Sequence, residues 1–290
     1  MERIIVPVDF SKDSQKAIEY AIIFANKWKC GLDLIYVQPD SFAYFPESFG
    51  VEYQLLERNE ELALEKLEKL TLTYQSKLAF DQNLQFRVRK GSIFKEVVKY
   101  AEEYTKSLIV MSTHGESGFE RLFMGSNAYK ILSSTSQPVI TFKKGFIPHD
   151  INKIVMPVDA SIDTRQKARI VADLALLFKS MVYMVEVANS ELERKTVSAY
   201  SHQIKELFDD AGVNYKIEKL PNGNITDQTL EFASRINADL ITIMTEQEES
   251  MTNIILGTYA HQMLNKSEIP MLTITPKEFY KPNEFFKTQG

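Results

Sequence analysis

Short apolar runs alternate with amphipathic stretches along this chain. Residues 4–8 are a continuous β-branched run, the pattern of a strand covered on both faces. Ser11 follows as a helix-capping residue. Ala17, Ala21, Phe24 and Trp28 then recur at i, i+4, i+7 and i+11, a helical stripe facing a sheet. The alternation continues with a strand at 32–37, a long charged helix at 51–78 and a strand at 84–88. A helix marked by Ile93, Val97, Ala101 and Tyr104 comes next, then a strand at 108–111, a helix at 126–133 and a strand at 139–142. Strands alternating with helices of this length predict an α/β fold with a parallel, doubly wound sheet and right-handed crossovers.

The pattern then repeats. Lys153-Ile-Val-Met-Pro-Val-Asp-Ala-Ser161 echoes Arg3-Ile-Ile-Val-Pro-Val-Asp-Phe-Ser11, 150 positions later. Farther along the offset is 132: Gly91 with Gly223, Ala101 with Ala233, Gly125-Ser126 with Gly257-Thr258, Pro138 with Pro270. The second copy predicts strands at 154–158, 182–187, 215–218, 240–244 and 272–275. Helices are expected through 168–178, near 190–211, from Ile225 and from Thr258. A repeat this long is a whole domain, not a solenoid unit. The expectation is two tandem five-stranded sheets, in domains 1–146 and 147–290, linked at 145–150. Residues 40–54 have no counterpart in the second copy. They are either a lid or docking surface, or a loop packed on its own domain.

Composition narrows the class. The chain has 290 residues, 44% of them apolar, enough for two cores of ordinary domain size. A net charge of −5 without long basic runs argues against a nucleic-acid partner. No apolar run approaches the roughly 20 residues that a bilayer requires. The amino terminus runs directly into a strand-like segment, so a cytoplasmic location is expected. A single cysteine, Cys30, excludes a disulfide framework and a cysteine metal site. The last residues, 277–290, alternate Lys, Phe, Tyr and Pro and are expected to be disordered.

In an open α/β sheet, ligands bind beyond the carboxyl ends of the strands where the strand order reverses. Three segments converge there: Pro7-Val8-Asp9, Tyr36-Val37, and the stretch from Met111 to Asn127. Gly115 has no Cβ, so its backbone can approach a phosphate; Gly118 lies in the same loop. Gly125 and Ser126 open a helix, whose unpaired N–H groups and positive dipole end favour an anion. Asp9 either accepts from an adenine amino group or caps the following helix, and Val37 offers an apolar wall for a base.

At these residues the chain resembles the universal stress protein family, whose nucleotide-binding members carry G-x2-G-x9-G-[ST] after the fourth strand. Here the pattern reads Ser112-x2-Gly115-x9-Gly125-Ser126-Asn127, with serine in place of the first glycine. Ser112 either crowds a ligand or adds a hydroxyl. The match covers the first half; the second half is similar more faintly. The resemblance implies a Rossmann-like, adenine nucleotide alpha hydrolase-like fold. It also implies that Met111 and Ser112 line the base or ribose region, that His114 borders the phosphates, and that Asn127 extends the helix-start contact. His114 as a packing histidine is the alternative. ATP, with or without magnesium, is the implied ligand, and AMP or ADP suit the same site. Family members pair through their fifth strands, so a tandem chain is expected to form an internal pseudo-dimer, with 139–142 near 272–275. Association into a homo-oligomer and an unknown protein partner are both left open.

The second loop, 244–258, reads as one residue shorter and has no glycine before Gly257. Glu246, Glu248 and Glu249 bring carboxylates to where phosphates would lie. Like charges ~4 Å apart repel by about 1 kcal/mol even in bulk water. Asp159, Val187 and Gly257-Thr258 persist there as scaffold. One nucleotide per chain, held by the first domain, is therefore expected. No nucleophile elbow, Walker-type lysine or zinc signature occurs, so no catalytic residue is assigned and hydrolysis is at most slow. Arg121 and Lys130 are the nearby cations that the sequence offers. The competing class is an interaction scaffold with a vestigial pocket.

Overall fold

A computed structural model describes residues 1–39, 49–79, 84–113, 124–221, 223–245, 247–249 and 254–276. The first half runs β1 (Arg3–Pro7), α1 (Lys12–Trp28), β2 (Gly31–Gln38), α2 (Phe49–Gln75), β3 (Leu84–Lys90), α3 (Ile93–Glu102), β4 (Ser107–Ser112), α4 (Ser126–Ser134) and β5 (Val139–Phe142). The second runs β6 (Lys153–Val158), a 3-10 turn (Ile162–Arg165), α5 (Ala168–Phe178), β7 (Met181–Glu186), α6 (Glu191–Ala211) and β8 (Tyr215–Lys219). It continues with α7 (Ile225–Arg235), β9 (Leu240–Met244), β10 (Gln247–Glu249), β11 (Ile254–Leu256), α8 (Thr258–Lys266) and β12 (Met271–Ile274). Of the 40–54 insertion, residues 40–48 lie outside the described residues and Phe49 opens α2. The 277–290 tail also lies outside them.

Each half orders its strands in the same way, and the two sets join into one ten-stranded sheet, β3-β2-β1-β4-β5-β12-β9-β6-β7-β8. Every neighbouring pair is parallel except the central one. There β5 and β12 run antiparallel, with Val139 opposite Thr273, Ile140 opposite Leu272 and Thr141 opposite Met271. In the first half the order in which strands are added reverses between β1 and β4, and in the second between β6 and β9.

Strand alternation sends side chains to two cores, one on each face of the sheet. Ile4, Val6 and Val8 face α1, while Ile5 faces the α3 and α4 side. Both cores cross the central seam. Phe24 of α1 meets Phe178 of α5 edge-on at 5.3 Å, and Ile131 of α4 shares the other core with Met263 of α8.

Local chemistry repeats with the sequence. The Ser11 hydroxyl accepts the Ser14 N–H at 3.0 Å, capping α1 as expected. Helices α1 and α5 end 150 positions apart on Lys29 (φ 55°) and Lys179 (φ 57°), both in the left-handed region that closes a helix.

Candidate functional site

The carboxyl ends of β1, β2 and β4 surround a cavity of ≈ 630 Å³, roofed by α2 and closed at one end by the start of α4. Nine of the eleven residues singled out in the sequence line it: Pro7, Val8, Asp9, Val37, Met111, Ser112, Gly125, Ser126 and Asn127. The other two, His114 and Gly115, lie outside the described residues, as do Gly118 and Arg121. Val8, Val37 and Met111 are buried and make one end apolar. Exposed Ser126 and Asn127 make the other end polar.

Gly125 is the N-cap of α4, and its N–H donates to the Thr113 carbonyl at 2.8 Å. A Cβ on Gly125 would lie 3.3 Å from that same carbonyl oxygen, so the backbone runs closer here than a side chain comfortably allows. A glycine cap brings no side chain to the first turn. The N–H groups that a helix leaves unpaired at its start therefore face the cavity with the positive end of the dipole.

Asp9 plays a local part as well. Its carboxylate accepts the Ser11 N–H at 3.0 Å, setting the turn into α1, while Ser11 itself is the cap. The same side chain lines the cavity.

Among the lining residues that the sequence did not single out, two bring distinctive chemistry. Phe10 has φ 66°, a left-handed conformation that disfavours a bulky side chain, and its ring lies 5.0 Å from that of Tyr36. Lys66 of α2 holds its ammonium 5.1 Å from the Phe10 ring centre. Among the described lining residues Lys66 is the one cation, and Asp9 the one anion. Lys130 instead lies over the Phe94 ring at 5.3 Å and does not line the cavity. Helix α2 buries Ala63 and Leu67. Only the angle at which α2 docks brings the intervening Lys66 over the cleft.

The second half keeps the frame and changes the contents. Asp159 accepts the Ser161 N–H at 2.8 Å, as Asp9 does from Ser11. Gly257 caps α8 with φ −55° and ψ 153°, against −59° and 145° at Gly125. Ala160 stands for Phe10, and Lys167 for Ala17. Lys167 is 2% exposed, and its ammonium donates to the Thr164 hydroxyl at 3.0 Å. Burial lowers its pKa from the ordinary 10.5 to about 8, with the nearby Asp159 charge pulling the other way.

Two expectations about the second loop are corrected. Ser112 pairs with Phe142 and Met244 with Ile274, so Met244 is the counterpart of Ser112, not of Met111. Thr113 and Thr245 likewise donate N–H to Phe142 and Ile274. Twelve positions then separate Thr113 from Gly125 and Thr245 from Gly257, so neither loop is shorter. Within the second loop, β10 and β11 pair antiparallel. Matching methionines at 111 and 244 misled the alignment; strand register overrides such a chance identity. Glu248 and Glu249 fall on β10, and Glu246 lies outside the described residues.

A family model described as the Universal stress protein family matches residues 1–143. A universal stress protein of Methanocaldococcus jannaschii is 30% identical over 146 residues, 49% of this chain and 82% of that relative. One from Synechocystis is 22% identical over 291 residues, covering 94% of this chain and 99% of its own. A solved universal stress protein from Archaeoglobus fulgidus shares the fold with a TM-score of 0.76 at 17% identity, over 94% of this chain and 98% of that one. No helix among the described residues is long and apolar enough to cross a membrane.

Proposed function

The chain belongs to the universal stress protein family, and from that premise we propose that it is a regulatory protein whose N-terminal domain, 1–146, holds one adenine nucleotide. The observation that carries this reading is the convergence on one cavity of nine residues from three separate segments of the chain. A cavity of ≈ 630 Å³ lies within the range of roughly 300–1,000 Å³ usual for small-molecule sites. Its apolar end suits a base and its helix-start end suits phosphates.

In this reading Val8 and Val37 flank the adenine, and the Asp9 carboxylate accepts from its amino group. Met111 and Ser112 lie toward the ribose. Backbone amides from Gly125 to Asn127 receive the phosphates, with Lys66 supplying a positive charge from across the cleft. His114 and Gly115 join the set through the family pattern. The ligand is ATP, with or without magnesium, and ADP or AMP would use the same contacts. The protein binds rather than turns over its ligand with any efficiency, and it works in the cytoplasm.

The domain 147–290 holds no nucleotide in this reading. Lys167 and Met244, standing where the first domain has Ala17 and Ser112, support that assignment. The β5–β12 seam supports an internal pseudo-dimer, one copy of the fold against the other.

Titration calorimetry of the full chain with ATP, ADP and AMP, each with and without magnesium, tests the reading. The expected stoichiometry is near one. Bound ligand also raises the melting temperature, because binding to the folded state stabilises it by about 2.7 kcal/mol at a hundredfold excess over Kd. Absence of both heat and melting shift at millimolar ATP overturns the reading in favour of a pure interaction scaffold.

A further inference from the structure

The two halves touch each other at the entrances to α4 and α8. Met124 immediately precedes Gly125, the cap of α4, and its N–H donates to the Asn265 side-chain oxygen on α8 at 3.2 Å. Leu256 immediately precedes Gly257, the cap of α8, and its N–H donates to the Tyr129 hydroxyl on α4 at 3.1 Å. Positions 124 and 256 are equivalent in the repeat, so the exchange is reciprocal. The acceptors are not equivalent, since Asn265 corresponds to Ser133 and Tyr129 to His261. Between the two bonds, the Tyr129 and His261 rings meet edge-on at 6.0 Å.

Asn265 is itself held from several sides. Its backbone carbonyl accepts the Lys143 ammonium at 2.6 Å, and Lys143 also pairs with Glu268 at 3.0 Å. Its side-chain nitrogen lies 3.1 Å from a ring nitrogen of His261. The oxygen facing Met124 is therefore fixed by His261 on α8 and by Lys143 just beyond β5. A helix start receives an anion well only when its amides are already aimed, and that aim is set by the chain entering the cap.

We infer that Asn265, a residue of the half without a nucleotide site, is a positioning residue for the site in the other half. It acts by holding Met124 and so fixing the direction in which α4 begins. The inference rests on the nucleotide reading above, but its geometry can be tested apart from it. In this arrangement the second copy of the fold braces the first, and the Tyr129–Leu256 bond carries the same constraint back to β11.

Hydrogen exchange of the full chain, read at the Met124 and Leu256 amides, is the direct measurement. Asn265→Leu keeps size and removes the acceptor; Asn265→Asp keeps the acceptor. Asn265→Leu is expected to speed exchange at Met124 by about five- to tenfold, the worth of one ordinary hydrogen bond, and Asn265→Asp to leave it protected. ATP affinity in Asn265→Leu should fall by a similar factor at temperatures well below its melting point. Tyr129→Phe should speed exchange at Leu256 without moving Met124, and it serves as the second variant should Asn265→Leu fold poorly. Unchanged exchange at Met124 in Asn265→Leu, or at Leu256 in Tyr129→Phe, overturns the brace. Wild-type ATP affinity in Asn265→Leu overturns the positioning role while leaving the nucleotide reading intact. Failure of the wild-type chain to bind ATP sinks that reading instead, and faster Met124 exchange in Asn265→Leu would still support the brace.

Discussion

The first cleft and its counterpart in the second half share a backbone and the residues of its strand ends and cap, and differ at a few side chains between them. Asp9 and Asp159 set the same turn, Lys29 and Lys179 end the same helix, and Gly125 and Gly257 cap helices with nearly the same angles. Yet Phe10, Met111 and Ser112, which line the first cleft, are matched by Ala160, Ile243 and Met244. The frame persists because strand ends, turns and caps must be satisfied for either half to fold. The contents answer only to a ligand. Persistence of the cap glycine is thus evidence of fold, and the side chains that project into the cleft are the evidence about function.

The largest expected effect tests the altered half. Lys167→Met removes a buried ammonium and should stabilise the chain near pH 7 by about 3 kcal/mol, since each pKa unit corresponds to about 1.4 kcal/mol. The pH dependence has a definite sign. Below pH 8 the lysine is charged in both folded and unfolded chains, and the folded state bears the full cost of burial. Between pH 8 and 10.5 the folded chain releases the proton while the unfolded chain keeps it, so wild-type stability rises with pH. The gap between variant and wild type, followed by urea unfolding, should close across that window. A gap independent of pH would show that the folded chain holds the Lys167 proton as tightly as the unfolded chain does, so that burial does not shift it.

Next comes the cap itself. Gly125→Val forces a side chain against the Thr113 carbonyl and re-aims the α4 amides. A loss of about a hundredfold in ATP affinity is expected, about 2.7 kcal/mol. Gly257→Val should leave the affinity untouched, and equal losses from the two variants would erase the distinction between the halves. Melting curves confirm that each variant is folded.

Lys66→Met sharpens the assignment of the polyphosphate end. It should weaken ATP about tenfold and spare adenosine. The difference should shrink as salt rises, because an exposed charge is screened over roughly 10 Å at 0.1 M. An equal effect on adenosine would place Lys66 at the base instead.

The smallest change concerns Phe10. Phe10→Gly relieves a left-handed conformation costing about 1–2 kcal/mol and loses a ring contact with Tyr36 worth about 0.5–1.5 kcal/mol. Stability should therefore move by less than about 1 kcal/mol, while nucleotide affinity falls. Unchanged affinity would assign Phe10 to packing alone.

Much of this was legible along the chain because it depends on near neighbours. The apolar run before Pro7, the stripe from Ala17 to Trp28, the Ser11 cap and the glycine opening α4 each obey rules that span a few residues. Their repetition identified the duplication, and the strand ends named three corners of the cleft. The alignment of Met111 with Met244 failed for a different reason. Nothing local distinguishes two strands shifted by one residue, and only the ladders to Phe142 and Ile274 settle the register.

The sequence by itself thus determined the order of strands and helices, the doubling of the fold and the placing of a glycine-capped helix beside Asp9 and Val37, since periodicity and capping act within a turn or two. Tertiary structure alone decided that Lys66 overhangs the cleft, that Lys167 lies buried in the second half, that β10 pairs with β11, and that Asn265 and Tyr129 each hold the entrance to the other half's helix. These arrangements depend on how packed layers dock across the β5–β12 seam, where partners stand more than a hundred positions apart and no short-range rule relates them.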